Sequence, residues 1–278
     1  MNRPPAHRTE PLPEPSVIPE HGWHCAHYFY RFRRDAIDRT LDQALQAQFT
    51  SAIDTAAGGP QRLAAYWTSG HRADFGIMVM DPDPAKVDAV HQAIMAPGIG
   101  RYIEPSWSFV SMSEVSEYVP TIEGYRQRLI AGGEKPDSPE LAAKVAAYER
   151  RLPMMNEQRL RPEFPAWPAA CFYPMNKSRV VGANWFTEPF SRRNAMMAEH
   201  AQSGIAFAGK ISQLISVGVG LDDWEWMVTL WARNPEYLKK IVYKMRFDQA
   251  SAKYAEFGPF YVGYRASGEE ILSHCQLI

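Results

Sequence analysis

Apolar residues in the first half of the chain alternate between the spacing of strands and the spacing of helices. From Trp23 onward the pattern predicts a strand, a helix, two strands, a second helix and a last strand. The predicted strands are WHCAHYFYRF, RLAAYWTS, DFGIMVM and PSWSFVSMSEV, and the predicted helices are AIDRTLDQALQAQFTSAI and DPAKVDAVHQAIMA. Residues 21–118 therefore form one predicted unit with the order βαββαβ.

The second half shows the same order of elements. Its predicted strands are PAACFYP, ISQLISVGV, WEWMVTLW and FGPFYVGY, and its predicted helices are PFSRRNAMMAEHAQSGIAFAGK and the long PEYLKKIVYKMRFDQASAKYAE. One pattern of about 95 residues thus occurs twice, which is typical of tandem ferredoxin-like units. We predict an α+β fold of two such repeats, the second in residues 166–278, with their sheets packed face to face.

Two segments lie outside these repeats. Residues 119–165 are rich in proline, glycine and charge, and hold one predicted helix that Ser138 and Pro139 begin. We interpret this segment as a linker. Residues 1–20 predict a disordered, proline-rich tail. Since no apolar run has the length of a membrane span or the form of a signal peptide, we expect a cytoplasmic protein without a membrane partner.

The motif CFYPMNKSR, residues 171–179, places a proline directly after strand-forming residues. Proline has no N–H for a sheet ladder, so the pattern predicts that the strand ends there or lies on a sheet edge. Tyr173 and Lys177 are then expected at a strand exit, where they could face a pocket and, with Arg179, bind a carboxylate. The alternative is a core tyrosine and a solvated surface lysine.

Composition limits the class of ligand. The chain has 278 residues, 46% of them hydrophobic, and a formal net charge of -1 with a pI near 6.7. No overall basic field is present to recruit nucleic acid, so any anionic ligand must be held by a local cluster. The three cysteines show no CxxC spacing, which favours reduced thiols over a disulfide framework.

Among the histidines, His200 is the strongest candidate ligand. Met196, Met197, Gly204 and Phe207 lie three, four or seven positions from it, so all share one helix face. The imidazole is expected in apolar surroundings, and Gly204 would leave room for a flat macrocycle. A buried core histidine is the alternative.

Other residues that could hold a metal or act as nucleophiles give weaker signals. Strand alternation puts His24 and His27 on opposite faces, so they and Cys25 are not expected to chelate a metal. His71 and His91 have no spaced partners. The sequence contains no HExxH or GxSxG motif, and its GVG segment does not lead into a helix, which excludes a Rossmann or P-loop interpretation.

Taken together, several segments resemble the chlorite dismutase superfamily and, within it, the coproheme decarboxylases. The resemblance runs from about Trp23 to Gly263 and is carried by SGHRADFGIMV, EPSWSFVSMSEVSEY, RLRPEFP, CFYPMNKSR, NWF, AEHAQSG, GLDDWEW and VYKMRFDQASAKYAEFGPFYVG. It implies a dimeric α+β barrel built from the two repeats, in agreement with the pattern of elements above.

The resemblance also implies a role for eight residues. They are His200 as the axial iron ligand, Tyr173 as the catalytic radical tyrosine, Lys177 as its partner, Gln213 as the distal residue, Tyr118, Arg159 and Ser251 as anchors of propionates, and Met175 as a further porphyrin-binding residue. Met196, Met197 and Phe207 would flank the porphyrin plane. Two features depart from the family: Ala201 replaces a glycine, and the segment from Tyr118 to Arg159 is longer than expected.

The activity implied is peroxide-dependent decarboxylation of two propionates of iron-coproporphyrin III (coproheme), through a tyrosyl radical, to give the vinyl groups of heme b. Chlorite-degrading relatives carry an arginine where Gln213 stands, so Gln213 argues against chlorite dismutation. A chlorite dismutase or heme peroxidase is one alternative, and a heme carrier without enzymatic activity is another. The resemblance further implies a homo-oligomer, commonly a pentamer.

Overall fold

The computed structural model describes residues 14–54 and 58–278 of the chain. Residues 1–13 of the predicted disordered tail lie outside the described residues. The strands are β1 (His24–Phe32), β2 (Arg62–Ser69), β3 (Phe75–Asp81), β4 (Ile103–Ser113), β5 (Ala169–Lys177), β6 (Arg179–Val180), β7 (Ala183–Asn184), β8 (Ile211–Val217), β9 (Trp226–Ala232), β10 (Ala255–Phe257) and β11 (Tyr261–Arg265). The α-helices are α1 (Gln43–Ile53), α2 (Pro84–Ile94), α3 (Ile122–Ala131), α4 (Pro139–Leu160), α5 (Phe190–Ile205), α6 (Pro235–Met245), α7 (Gln249–Tyr254) and α8 (Gly268–His274).

The main strands close into a barrel. Antiparallel pairs link them in the order β5, β11, β2, β3, β1, β4, β8 and β9, and β9 pairs again with β5. The two halves of the chain meet at two seams, β11 with β2 and β4 with β8. The expected α+β barrel is therefore confirmed. The sheets do not simply stack, because their edges are hydrogen-bonded to each other.

One apolar core fills the barrel and draws residues from both halves. Phe29 and Phe109 of the first half pack with Phe172, Met227 and Trp231 of the second. A second core lies between the first-half strands and the helices α1, α2 and α8, and a third lies between β5, β9 and α6. The two repeats thus share a core, and the domain boundaries drawn at residues 118 and 165 stay a prediction.

Helix starts follow the capping residues in the sequence. Helix α4 begins at Pro139, and the Ser138 hydroxyl accepts the backbone N–H of Leu141, as predicted. Helix α1 begins later than expected, because Asp42 rather than the region near Ala36 supplies its cap. Helices α3 and α8 were not predicted. No helix of the described ranges has the length and apolarity needed to cross a membrane.

The prediction that a strand ends at Pro174 is wrong. β5 continues to Lys177 and pairs with β9 through Met175. On its other edge, β11 pairs only as far as Phe172, and β10 pairs from Met175 onward. Pro174 therefore lies in the gap between two partner strands, where its missing N–H disrupts no ladder.

The prediction of one long helix after Pro235 is also wrong. The helix breaks between Met245 and Gln249, and Asp248 caps the second piece by accepting the backbone N–H of Ser251 at 2.8 Å. An aspartate is a strong N-cap because its carboxylate satisfies a free N–H of the first turn. This break has a direct consequence for the site described next.

Candidate active site

A cavity of about 710 Å³ lies in the second half of the molecule, within the size range of small-molecule and cofactor sites. Strands β5, β8 and β9 line one part of it, and helices α5 and α6 line another. The segment 114–119 and the end of α4 complete the rim. The cavity is therefore bounded by a sheet, two helices and the region interpreted as a linker.

All eight residues singled out from the sequence line this cavity. They are Tyr118, Arg159, Tyr173, Met175, Lys177, His200, Gln213 and Ser251. They come from five different elements and the segment before α3, and only the folded chain brings them together. Their common position is established, and the roles assigned to them stay predictions.

His200 is held by a buried aspartate. Nδ1 of its ring lies 2.8 Å from Oδ2 of Asp248, and the hydroxyl of Ser251 lies 3.3 Å from the same nitrogen. Since a carboxylate can only accept, Nδ1 carries a hydrogen, and Nε2 is the ring nitrogen left to bind a metal. A histidine whose second nitrogen is bound to a carboxylate is the usual arrangement for a metal ligand.

Asp248 remains ionised although it is almost fully buried. Burial opposes its charge, but the hydrogen bond from His200 and the bonds from Ser251 outweigh this and lower the pKa of Asp248. The same carboxylate thus caps α7 with one oxygen and orients His200 with the other. Both interactions favour the anion.

The donor set fits an iron porphyrin better than a bare ion. Within residues 14–54 and 58–278, no group of three or more His, Cys, Asp or Glu side chains could hold a metal. A single imidazole is a sufficient protein ligand only when a macrocycle fills the other positions, as in heme proteins. His200 would then hold the iron through Nε2, and the cavity beside it would receive the plane.

Tyr173 lies on β5 with its ring packed among aromatics. The ring stacks on Phe260 with centroids 4.4 Å apart and meets the edge of Phe257 at 5.7 Å. Burial raises the pKa of Tyr173 above its ordinary value, Cys171 adds to the rise, and Arg246 opposes it. The side chain therefore stays a neutral phenol that lines the cavity.

Lys177 shares the face of β5 with Tyr173, because the two residues are four positions apart on one strand. The residue is only 8% exposed. Nζ donates to the carbonyl of Ala250 at 3.1 Å and lies 4.3 Å from the ring centroid of Trp185. Burial lowers the pKa of Lys177 to about 8, although Asp248 and Glu225 oppose the shift. A carboxylate entering the cavity could use its remaining donors.

Gln213 and Met197 line the cavity, as expected. The predictions for Met196, Phe207 and Gly204 are wrong. Met196 is buried in a cluster with Trp185 and Tyr254 and does not line the cavity. Phe207 packs against the core between β5, β9 and α6. Gly204 does not line the cavity, and a Cβ there would make an ordinary van der Waals contact, 3.6 Å from the Met245 methyl group.

Three cations of the cavity wall were missed in the sequence, namely Arg128, Arg193 and Arg246. With Arg159 and Lys177 they form a positively charged lining in a protein of net charge -1. Arg193 could have been found, because it precedes His200 by two helical turns and so shares its face. Arg128 could not, because it lies on the unpredicted helix α3.

Tyr118 occupies the rim beside Arg193. Its hydroxyl accepts a hydrogen bond from Nη1 of Arg193 at 2.9 Å, and its ring stacks on Phe190 at 5.9 Å. Burial and the neighbouring Glu117 raise the pKa of Tyr118 to about 12. Arg159, across the rim on α4, donates to the carbonyl of Met155 at 3.0 Å.

Comparison with known proteins gives a consistent picture. The family model described as chlorite dismutase matches residues 42–266. A curated protein of Natronomonas pharaonis, named as a candidate heme-binding protein, is 32% identical over 261 residues. The match covers 91% of this chain and 41% of that relative, so the chain spans less than half of its length.

Solved structures show the same fold. A heme-binding protein from Thermus thermophilus superposes with a TM-score of 0.74 at 29% identity, covering 93% of this chain and 96% of the other. A variant of the chlorite dismutase from Candidatus Nitrospira defluvii superposes with a TM-score of 0.69 at 18% identity, covering 94% and 98%. The second likeness concerns the fold alone.

Proposed function

This chain belongs to the chlorite dismutase family, and we propose that it is a coproheme decarboxylase that uses hydrogen peroxide to convert two propionates of coproheme into the vinyl groups of heme b. The family includes both enzymes and heme-binding proteins, so family membership supports a heme-type ligand without selecting the reaction. The choice of reaction rests on the residues of the cavity.

One observation carries the proposal. A phenol and a buried ammonium, Tyr173 and Lys177, stand on one face of a single strand and line the same cavity as the carboxylate-bound His200. A heme carrier needs the imidazole but has no need of the phenol. A decarboxylase needs all three, because it must hold the iron, hold a carboxylate and remove a hydrogen atom beside it.

The proposed reaction balances with one peroxide for each propionate. The side chain CH2–CH2–COO⁻ loses two electrons and becomes CH=CH2 and CO2, while H2O2 takes up these electrons and, with the released proton and one more from solvent, becomes two water molecules. The bound iron porphyrin supplies the oxidising power when it meets peroxide. Tyr173 would pass a hydrogen atom to that oxidant and, as a radical, take one from the β-carbon of the propionate. The second electron would go to the same oxidant as the bond to the carboxylate breaks and CO2 leaves.

Lys177 has a positioning role in this proposal. Its ammonium would pair with the carboxylate that leaves as CO2 and so keep the β-carbon beside the phenol oxygen. Fixing two reacting groups in contact removes much of the entropic cost of their encounter. Arg159, Tyr118 and Ser251 remain the proposed contacts for the other carboxylates, with Met175 against the porphyrin. Ser251 also contacts Nδ1 of His200 and can help to orient the ring.

Gln213 supports decarboxylation over chlorite chemistry. It lines the cavity from β8 and brings no charge. A neutral amide can donate a hydrogen bond to peroxide, but it cannot hold an anionic oxidant as a fixed cation would. A homopentameric assembly is a further part of the proposal, supported by the family resemblance alone. The cytoplasmic location expected from the sequence is also a proposal.

Peroxide titration of the coproheme complex tests the proposal. We expect chromatography of the extracted porphyrin to show a three-propionate intermediate and then heme b, with no oxygen released when chlorite replaces peroxide. Unchanged coproheme, or rapid oxygen release from chlorite, would contradict the assignment.

A further inference from the structure

Arg193 stands at a fixed distance from His200 on α5. The two residues are seven positions apart, so a rise of about 1.5 Å per residue places them about 10 Å apart along the helix and on one face. Both side chains line the cavity. A cation is thus held at the rim by the same helix that carries the expected iron ligand.

The guanidinium of Arg193 has an unused donor. Nη1 donates to Oε1 of Glu117 at 2.6 Å and to the hydroxyl of Tyr118 at 2.9 Å. Nε is buried and has no acceptor anywhere in the described part of the chain. An arginine binds a carboxylate best through two parallel N–H groups. Glu117 therefore binds Arg193 through one N–H group and not through two.

Glu117 is a weakly held partner. Its side chain is 51% exposed, whereas that of Arg193 is 19% exposed. It lies in the segment between β4 and α3, which has no regular secondary structure. A half-exposed ion pair contributes little free energy, so the Glu117 carboxylate can swing into solvent at small cost. It must do so if another anion is to replace it on Nη1 of Arg193.

Glu114 and Glu117 are the acidic residues that line the cavity among the residues the structure describes. A ligand with several carboxylates would be repelled by them as long as they point inward. In the present arrangement, Nη1 of Arg193 donates both to the Glu117 carboxylate and to the Tyr118 hydroxyl. The same cluster thus contains both a cation that attracts a ligand carboxylate and an anion that competes with it.

We propose that Tyr118 and Arg193 form a carboxylate site which Glu117 fills in the free protein and which a propionate of the porphyrin takes over on binding. The inference rests on the proposed function, because it assigns one contact of the same substrate. Glu117 acts as an internal substitute for the substrate, and it lowers the affinity for any porphyrin that uses this site.

Equilibrium titration of coproheme, followed by its Soret absorption, tests this without any turnover. We expect Glu117→Gln to bind about two- to fivefold more tightly, since a half-exposed competing ion pair is lost. Arg193→Gln should bind about tenfold more weakly, since a charged hydrogen bond is lost. In the Arg193→Gln background, Glu117→Gln should tighten binding less than it does in the wild type, because the competition for Arg193 is gone and only the direct repulsion remains.

Two matched variants control for net charge. Arg192→Gln and Glu123→Gln make the same charge changes outside the cavity and should leave the affinity unchanged. Equal or weaker binding by Glu117→Gln, or equal tightening with and without Arg193, would overturn the inference. If the wild type binds coproheme but releases no vinyl product with peroxide, the proposed function fails while these affinities still decide the carboxylate site.

Discussion

The carboxylate of Asp248 accepts a hydrogen bond from Nδ1 of His200 at 2.8 Å and caps helix α7 with its other oxygen. A single side chain therefore connects the break between α6 and α7 to the orientation of the expected iron ligand. The anion makes the imidazole a stronger electron donor, which stabilises the higher oxidation state of a bound iron.

We expect Asp248→Asn to keep the fold and to change the reduction potential of the bound iron. Asparagine caps helices as well as aspartate does, so α7 should persist. Loss of the charge should raise the reduction potential of the bound iron and lower the iron–histidine stretching frequency. Affinity for the iron porphyrin or activity should fall about 10- to 100-fold, the usual effect of removing a group that is hydrogen-bonded to a metal-binding histidine. Potentiometry and resonance Raman spectroscopy of the coproheme complex would check this, and unchanged values would show that Asp248 does not act on the ligand.

We expect Tyr173→Phe to bind coproheme like the wild type but form no heme b. Phenylalanine keeps the stack on Phe260 and lacks only the hydroxyl group whose hydrogen the phenol gives up. Mass spectrometry of the porphyrin after peroxide addition is the measurement. Tyr261→Phe is the matched control, because that tyrosine packs in the barrel core outside the cavity and should leave the yield unchanged. Product from Tyr173→Phe at the wild-type rate would refute the radical assignment.

The affinity for coproheme should fall as the pH rises through about 8. Burial lowers the pKa of Lys177 to about 8 in the free protein, so above that pH the ammonium is lost and a carboxylate no longer has its cation. Lys177→Met should bind more weakly below pH 8 and lose this part of the pH dependence. If affinity falls equally with pH in both proteins between about pH 7 and about pH 9.5, on either side of that pKa, Lys177 does not pair with a coproheme carboxylate.

The stability of the barrel should be sensitive to acid through His27. Burial lowers the pKa of this barrel histidine from 6.5 to about 3, and Nε2 is hydrogen-bonded to Thr229 at 2.9 Å. Between these values the unfolded chain binds a proton that the folded chain does not, so the free energy of unfolding falls as the pH falls below 6.5. The loss from this group should be about 2 kcal/mol by pH 5.

Urea unfolding of the wild type and His27→Gln at about pH 7.5 and about pH 5 measures this effect. The variant should be less stable at the higher pH and lose less between the two values. An equal loss in both proteins would assign the acid sensitivity to other groups.

The sequence predicted the strands well, because alternation of apolar residues is a local property. The predicted RLAAYWTS coincides with β2, Arg62–Ser69. The closure of the barrel was not predictable from the residues alone, since the seam between β4 and β8 consists of two residue pairs, Met112 with Val217 and Ser113 with Ser216. Nothing in the local pattern marks such short contacts.

The site was predictable in its residues and not in its geometry. Tyr173 and Lys177 were placed across a strand end, whereas they share one face of a continuous strand because Pro174 lies between two edge partners. Asp248 was missed because a helical spacing of apolar residues runs across it. The sequence DQAS does contain the signal, since an aspartate followed by helix-forming residues is a typical N-cap.

The most direct test of the account is a crystal structure of the chain with coproheme. It should show iron bound by Nε2 of His200, with one propionate paired to Nζ of Lys177 and its β-carbon next to the oxygen of Tyr173. Iron held by another residue, or all four propionates pointing away from Tyr173, would contradict the account.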